Sequence, residues 1–342
     1  MGKIKMTHLE LEISNACNED CIHCYRHSLN RKRGFLSPSQ VQSLLEQAKL
    51  LGAGKVTITG GEALLNPYWH EIIEISNDLN LKISLLTNGT LLGENDIEFL
   101  TNITQLQKVQ ISLYSIEKTV HDSITRRKGS YEATLNAINL LQKRKLPFSL
   151  VCPIMKENVN TIIDTLSWCE KNDINISTGM FIFEAFDYIN KDFSHRLTKK
   201  DIEKLASLSM FDNGHFKYIW GTSHKRDLSK ILFYDGATSS LCISGDGTIY
   251  PAIGWYEPIG NINTDTLSEV FYNHPHLKRI RSYTVADFTD CIQCHDSDFC
   301  MFCSSPHIIA NQGELGKLDK EWCSFIALRK KIALNWRMNN KK

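Results

Sequence analysis

From residue 7 to about residue 183, short apolar runs alternate with amphipathic stretches. "THLELEIS" alternates apolar and polar positions with period two and predicts a strand. "SPSQVQSLLEQAKLLG" predicts a helix, with Ser37 as N-cap and Pro38 at the first helical position. Val41, Leu44, Leu45, Ala48 and Leu51 fall on one face of it. "KVTITGG", "KISLLTNG", "KVQISLYS", "PFSLVCPI" and "ISTGMFIF" predict five more strands, with the helices "YWHEIIEISNDLN", "YEATLNAINLLQKRK" and "VNTIIDTLSWCEKND" among them. Six βα-type units in a row imply a parallel sheet with crossover helices, a partial (β/α)6 barrel of the α/β class. Residues 184–233 lose this rhythm and predict a bridge, with a helix near 198–210. From about 234 a different region begins, with a turn and strand in "GDGTIYPA" and a closing helix in "KEWCSFIALRKKIALNWRM". The expected division is therefore a barrel over 1–183, a bridging segment over 184–233 and a cysteine-rich region over 234–342.

Composition narrows the class. The chain has 342 residues, 42% hydrophobic and 23% charged, which suits an ordinary globular protein able to bury a sizeable core without staples. Its net charge is +1, from 39 basic and 38 acidic residues. That balance gives no electrostatic footprint for nucleic acid or an anionic membrane. No apolar run approaches the roughly 20 residues of a membrane span, and the N-terminus lacks a signal-peptide core. A cytoplasmic protein is expected, in which thiols stay reduced. Eleven cysteines in that setting point to metal or catalysis rather than disulfides.

The cysteines are clustered. Cys17, Cys21 and Cys24 follow the first strand directly, in "CNEDCIHC". In barrels of this type, active sites sit at the C-terminal ends of the strands. Thiolates favour iron–sulfur clusters or zinc. A 4Fe–4S cluster held by three cysteines leaves one iron open to a substrate or cofactor. A zinc knot completed by His23 or His27 is the alternative. Other strand ends share the rim. Gly60, Gly61 and Glu62 end the second strand, "TNG" ends the third, and Ser112 lies on the fourth. A glycine pair lets a ligand approach the backbone, and Glu62 can accept charge-assisted hydrogen bonds from an ammonium group. Alone, "GGE" reads as a tight turn with a solvated acid and "TNG" as a turn, and their joint placement carries the weight.

With "CNEDCIHC", "TGGEALLNP", "LLTNGT" and "QISLYSIEKTVHDSITRRKGSYEATLNAINLL", the chain over about 7–183 resembles the radical S-adenosylmethionine (radical SAM) superfamily. The resemblance implies a partial barrel with a 4Fe–4S cluster on Cys17, Cys21 and Cys24, whose open iron binds SAM. It implies that Gly60, Gly61 and Glu62 hold the methionine amine and that Ser112 contacts the ribose. SAM would be cleaved reductively to a 5′-deoxyadenosyl radical that abstracts hydrogen, with a flavodoxin- or ferredoxin-type protein as electron donor. His23 stands where relatives place an aromatic against adenine. Where relatives often carry an arginine for the SAM carboxylate this chain has Thr125, with Arg126 adjacent. His121 and Asp122 are expected to order the loop rather than react.

"CIQCHDSDFCMFC" gives Cys291, Cys294, Cys300 and Cys303, with Cys323 further on. The spacing is similar to the SPASM extension, which implies auxiliary 4Fe–4S clusters. The upstream half departs from that pattern, with Ala252 where relatives have a cysteine, so one auxiliary cluster is expected. Its ligands would be Cys291, Cys294, Cys300 and Cys323, with Cys303 an alternative fourth, against a zinc knot of Cys291, Cys294, Cys300 and Cys303.

Enzymes with this extension mostly modify peptides, by crosslinking, epimerisation or oxidation. The expected substrate is a ribosomally made precursor peptide, and with the first strand near residue 7, leader recognition falls to a separate protein or another surface. The alternatives are a small-molecule dehydrogenase acting on an aminoglycoside-like compound, and a non-catalytic iron–sulfur or zinc scaffold. Cys152, on the fifth strand, is a candidate hydrogen donor if it faces the barrel interior, and otherwise a buried packing residue.

Overall fold

The computed structural model describes residues 4–26, 34–182, 194–206, 237–255, 257–300 and 317–339. Six strands, β1 (His8–Ser14), β2 (Lys55–Gly60), β3 (Lys82–Thr87), β4 (Leu106–Ser112), β5 (Phe148–Pro153) and β6 (Ile176–Gly179), lie side by side in sequence order and are all parallel. This is the partial barrel that the alternating pattern implies.

The crossovers are α1 (Pro38–Leu50), α2 (Trp69–Asp78), α3 (Glu94–Thr101), α4 (Lys118–Thr125), α5 (Ser130–Lys143) and α6 (Ile162–Lys171). α1 starts as its sequence dictates. The Ser37 hydroxyl accepts from the Gln40 amide and the Gln40 side chain accepts from the Ser37 amide, satisfying two orphan donors at once. Val41, Leu44, Leu45 and Ala48 are the buried face. The sequence pattern passed over α3 and α4. α3 has eight residues and buries only Ile97 and Leu100, too few to show a helical period.

The bridge contains α7 (Lys199–Ala206) within the stretch expected to be helical. Beyond it, β7 (Ser240–Ile243) joins the barrel sheet on the free edge of β1, parallel to it, with Leu9 opposite Leu241 and Leu11 opposite Ile243. β8 (Thr248–Tyr250) and β9 (Gly260–Asn261) continue antiparallel, so that the sheet runs, among the described residues, in the order β6-β5-β4-β3-β2-β1-β7-β8-β9. The helices α8 (Leu267–Asn273) and α9 (Pro275–Ser282) follow. Trp255, Phe271, Leu277 and Ile280 bury into the same core as Leu9, Leu11, Val56 and Ile83. α10 (Lys320–Asn339) is the last described element. No described helix is long and apolar enough to cross a membrane.

Candidate active site

The C-terminal ends of β2 to β6 and the loop after β1 surround one cavity of about 530 Å³. Strand alternation decides which side chains reach it. On β4, Gln110 and Ser112 face in while Val109 and Ile111 are fully buried in the core. The register sets Ser112 beside Val151 and Pro153 beside Gly179, and these four line the wall.

Cys17, Cys21 and Cys24 form the remaining side of the cavity, all three half-buried and free of disulfides. Their loop is fastened at many points. Arg26 pairs with Glu12 at 2.6 Å, both at most 4% exposed, and donates to the Asn15 side chain at 3.2 Å. The Gly245 amide, in the turn after β7, donates to the same Asn15 oxygen at 3.0 Å. On the other flank the Asp20 and Ile22 amides donate to the carbonyls of Thr125 and Ile124. Arg127 donates to the Asn18 carbonyl at 2.8 Å. Gly60 is required where β1 and β2 converge, because a Cβ there would stand 2.4 Å from the Ser14 carbonyl oxygen.

Electrostatics in the cavity are set by burial. It pushes the Cys17 thiol up to about 12 and the Cys21 thiol well above its ordinary value. Such thiols are neutral until a metal takes their protons, and coordination deprotonates a thiol outright. Burial, with His195 nearby, pushes His23 down to about 4, so its ring is neutral at pH 7. Burial pushes Glu19 up to about 7, and one of its carboxylate oxygens has no hydrogen-bond partner.

The residues expected in the site separate into two groups. His23, Gly60, Gly61 and Ser112 line the cavity with the three cysteines. Glu62, Arg126 and Cys152 do not. Glu62 is 1% exposed and turns away to cap the short helical turn Ala63–Leu65. Its carboxylate accepts from the Leu64 amide at 3.0 Å, the Thr87 hydroxyl at 2.7 Å and the Asn88 amide at 2.8 Å. It ties the ends of β2 and β3 together and is outside the lining of the cavity. Arg126 follows α4 in a left-handed conformation, φ 53°, and pairs with Asp20 on the outside of the loop at 3.2 Å. Cys152 belongs to the opposite face of β5, fully buried with Ile154, Ile162 and Leu205, so it is a packing residue and not a donor in the barrel interior. Its thiol donates to the Tyr114 carbonyl at 3.4 Å.

His121 and Asp122 order the loop, as expected. The His121 Nδ1 accepts from the Tyr114 amide at 3.3 Å, and burial pushes the ring down to about 4. Asp122 accepts from the Gly129 and Tyr131 amides and the Ser130 hydroxyl. Sequence reasoning did not single out Tyr114. It continues the inward phase of Gln110 and Ser112, packs edge-on to His23 with ring centroids 4.9 Å apart, and its hydroxyl donates to the Cys21 sulfur at 3.8 Å.

The second cysteine group also comes together. Burial pushes the Cys323 thiol up to about 11, and Cys291, Cys300 and Cys294 all stand close enough to raise it further. Cys303 and His27 lie outside the described residues. Among the described residues, no three Cys, His, Asp or Glu side chains gather at the spacing of a single metal ion.

The fold and this rim define a class. Residues 11–169 match the model of the Radical SAM superfamily. That segment belongs to the superfamily, and the chain carries a radical SAM domain, a family that implies SAM and a 4Fe–4S cluster. The chain is 24% identical over 270 residues to the sporulation killing factor maturation protein SkfB of Bacillus subtilis (strain 168), covering 76% of this chain and 63% of that one. It is 26% identical over 313 residues to the antilisterial bacteriocin subtilosin biosynthesis protein AlbA of the same organism, covering 86% and 66%. It thus spans just under two thirds of the length of both relatives. Among solved structures, native anSMEcpe with bound AdoMet shares the fold with a TM-score of 0.73 over 98% of both chains, at 20% identity. The three half-buried thiols suit the cluster: soft donors on one wall, in a cavity whose other walls carry backbone-exposing glycine and polar strand ends.

Proposed function

We propose that the protein is a peptide-modifying radical SAM enzyme that matures a ribosomally made precursor. The observation that carries this reading is that Cys17, Cys21 and Cys24 open on the same cavity as Gly60, Gly61, Ser112 and His23. When bound, the cluster and SAM together supply a hydrogen-abstracting radical. The chain's own residues do the rest. The three cysteines hold the cluster. Gly60 and Gly61 would bring the backbone within reach of the SAM methionyl group, Ser112 would offer a hydroxyl to the ribose, and the neutral His23 ring would stand on the adenine side. The fastened loop keeps water from the reacting centre by holding its walls in place.

Cys291, Cys294, Cys300 and Cys323 are assigned to one auxiliary 4Fe–4S cluster, on the similarity of their spacing to the SPASM extension. The substrate class is drawn from the relatives whose names describe maturation of a killing factor and biosynthesis of a bacteriocin. A one-electron donor of the flavodoxin or ferredoxin type is the second partner. The division into a barrel over 1–183, a bridge over 184–233 and a cysteine-rich region over 234–342 is part of this proposal; of the bridge, only residues 194–206 are described.

Label transfer tests the reading. Anaerobically reconstituted enzyme, given SAM, dithionite and a deuterated candidate precursor peptide, should move deuterium into 5′-deoxyadenosine. Deuterium arriving from an aminoglycoside-type sugar, and none from the peptide, would replace peptide maturation by small-molecule dehydrogenation.

A further inference from the structure

A second cavity of about 770 Å³ lies between α7, α10 and the segment after β6. Its floor is apolar, formed by Phe181, Leu197, Ile202, Phe325 and Leu328. Its charged lining is unequal: Arg196, Lys199, Lys320 and Lys331 against Glu321. Arg196 pairs with Glu321, lies over the Phe181 ring at 4.2 Å and donates to the Ile182 carbonyl. Lys199 has Glu203 at 4.0 Å. Among the described residues, Lys320 and Lys331 have no carboxylate at ion-pair distance, and both are exposed.

The two lysines stand on one stripe of α10. Eleven residues separate them, close to three helical turns, which places their Cα atoms about 16 Å apart. Ser324 and Leu328 fall between them on the same side. An extended chain rises about 3.3 Å per residue, so about five residues span that distance. The groove also meets the candidate active site. Phe181 lines both cavities, and it follows β6 by two residues.

We infer that this groove docks an extended segment of the peptide substrate in which two acidic residues, about five positions apart, bracket apolar ones. The inference rests on the peptide reading above and deepens it. The acidic ends pair with Lys320 and Lys331, the apolar side chains cover the floor, and the chain passes Phe181 into the cavity that holds the three cysteines. Recognition away from the reacting carbon lets one docking signal serve a peptide whose modified residue lies elsewhere in its sequence.

The experiment uses fluorescence anisotropy on anaerobically reconstituted holoenzyme with a labelled synthetic peptide, Gly-Glu-Leu-Ser-Phe-Leu-Glu-Gly. The control carries lysine at both glutamate positions. The acidic peptide should bind at least about 10-fold more tightly, with the preference shrinking as salt rises. The Lys320→Glu/Lys331→Glu double variant should reverse the preference and capture the lysine peptide. Equal binding of both peptides, no binding of either up to about 1 mM, or an acidic preference that survives the double variant would overturn the inference. Circular dichroism confirms that the variant is folded. SAM cleavage without peptide should match wild type in the double variant, since neither lysine touches the candidate active site. Its absence from wild-type protein would strike the radical SAM reading and leave the binding result to be judged separately.

Discussion

Replacing Glu62 separates two roles for the glycine-glycine-glutamate segment. In this structure the Glu62 carboxylate accepts from two backbone amides, Leu64 and Asn88, and from the Thr87 hydroxyl. Glu62 is 1% exposed and its bonds to the Leu64 amide and the Thr87 hydroxyl are buried, while the Asn88 amide is partly buried. Glu62→Ala would strand both amides, while Thr87 can turn its hydroxyl elsewhere. Each stranded buried donor costs about 1–3 kcal/mol, so the loss is about 2–6 kcal/mol. At the middle of that range, about 4 kcal/mol, local opening becomes about 10³-fold more frequent. Hydrogen exchange read by mass spectrometry should show it in peptides containing Leu64 and Asn88, against unchanged peptides from α5. Glu62→Gln keeps one acceptor oxygen and should fall between wild type and Glu62→Ala. A carboxylate that bound the SAM ammonium instead would cost about 1.5–3 kcal/mol, or roughly 10- to 150-fold in SAM affinity, with exchange unaltered. Lost affinity with wild-type protection at Leu64 and Asn88 would refute a structural role for this carboxylate.

Two further outcomes follow from the cysteines. Changing Cys291 and Cys294 together to Ala should remove about half of the roughly eight irons that two 4Fe–4S clusters contain, while SAM cleavage continues; four irons with one tight zinc in wild-type protein would make the second group a zinc knot. Cys152→Ala should keep full product formation and cost on the order of 1 kcal/mol of stability, since its thiol packs behind β5; loss of product with unchanged SAM cleavage would restore it as a hydrogen donor.

The six parallel strands and their order were legible because each carries its own period and each is followed by a recognisable turn or helix. The alignment of Cys17, Gly60, Asn88 and Ser112 on one rim follows from that order alone. The attachment of β7 to β1 was not legible. Four residues, "SLCI", pair with a strand more than 200 positions earlier, and no local pattern names that edge. The direction of the Glu62 side chain was not legible for a different reason. The same tripeptide serves whether its carboxylate turns to the cavity or to Thr87, and only the distance to β3 decides. Cys152 depended on register, because a shift of one residue would exchange it with Val151. Tyr114 could have been found from alternation, as it lies two residues beyond Ser112 on the inward side, but nothing in the sequence places Cys21 within reach of its hydroxyl.

The proposed function depends on the three cysteines after β1 making a SAM-cleaving centre. The deciding assay is 5′-deoxyadenosine formation by anaerobically reconstituted protein with SAM and dithionite, in wild type and in Cys17→Ala, Cys21→Ala and Cys24→Ala. Wild type should form it without any peptide present, and each single variant should form none, because losing one thiolate opens a second corner of the cluster. Near-wild-type formation by any one of the three variants, or none by wild-type protein carrying its iron, would contradict that assignment.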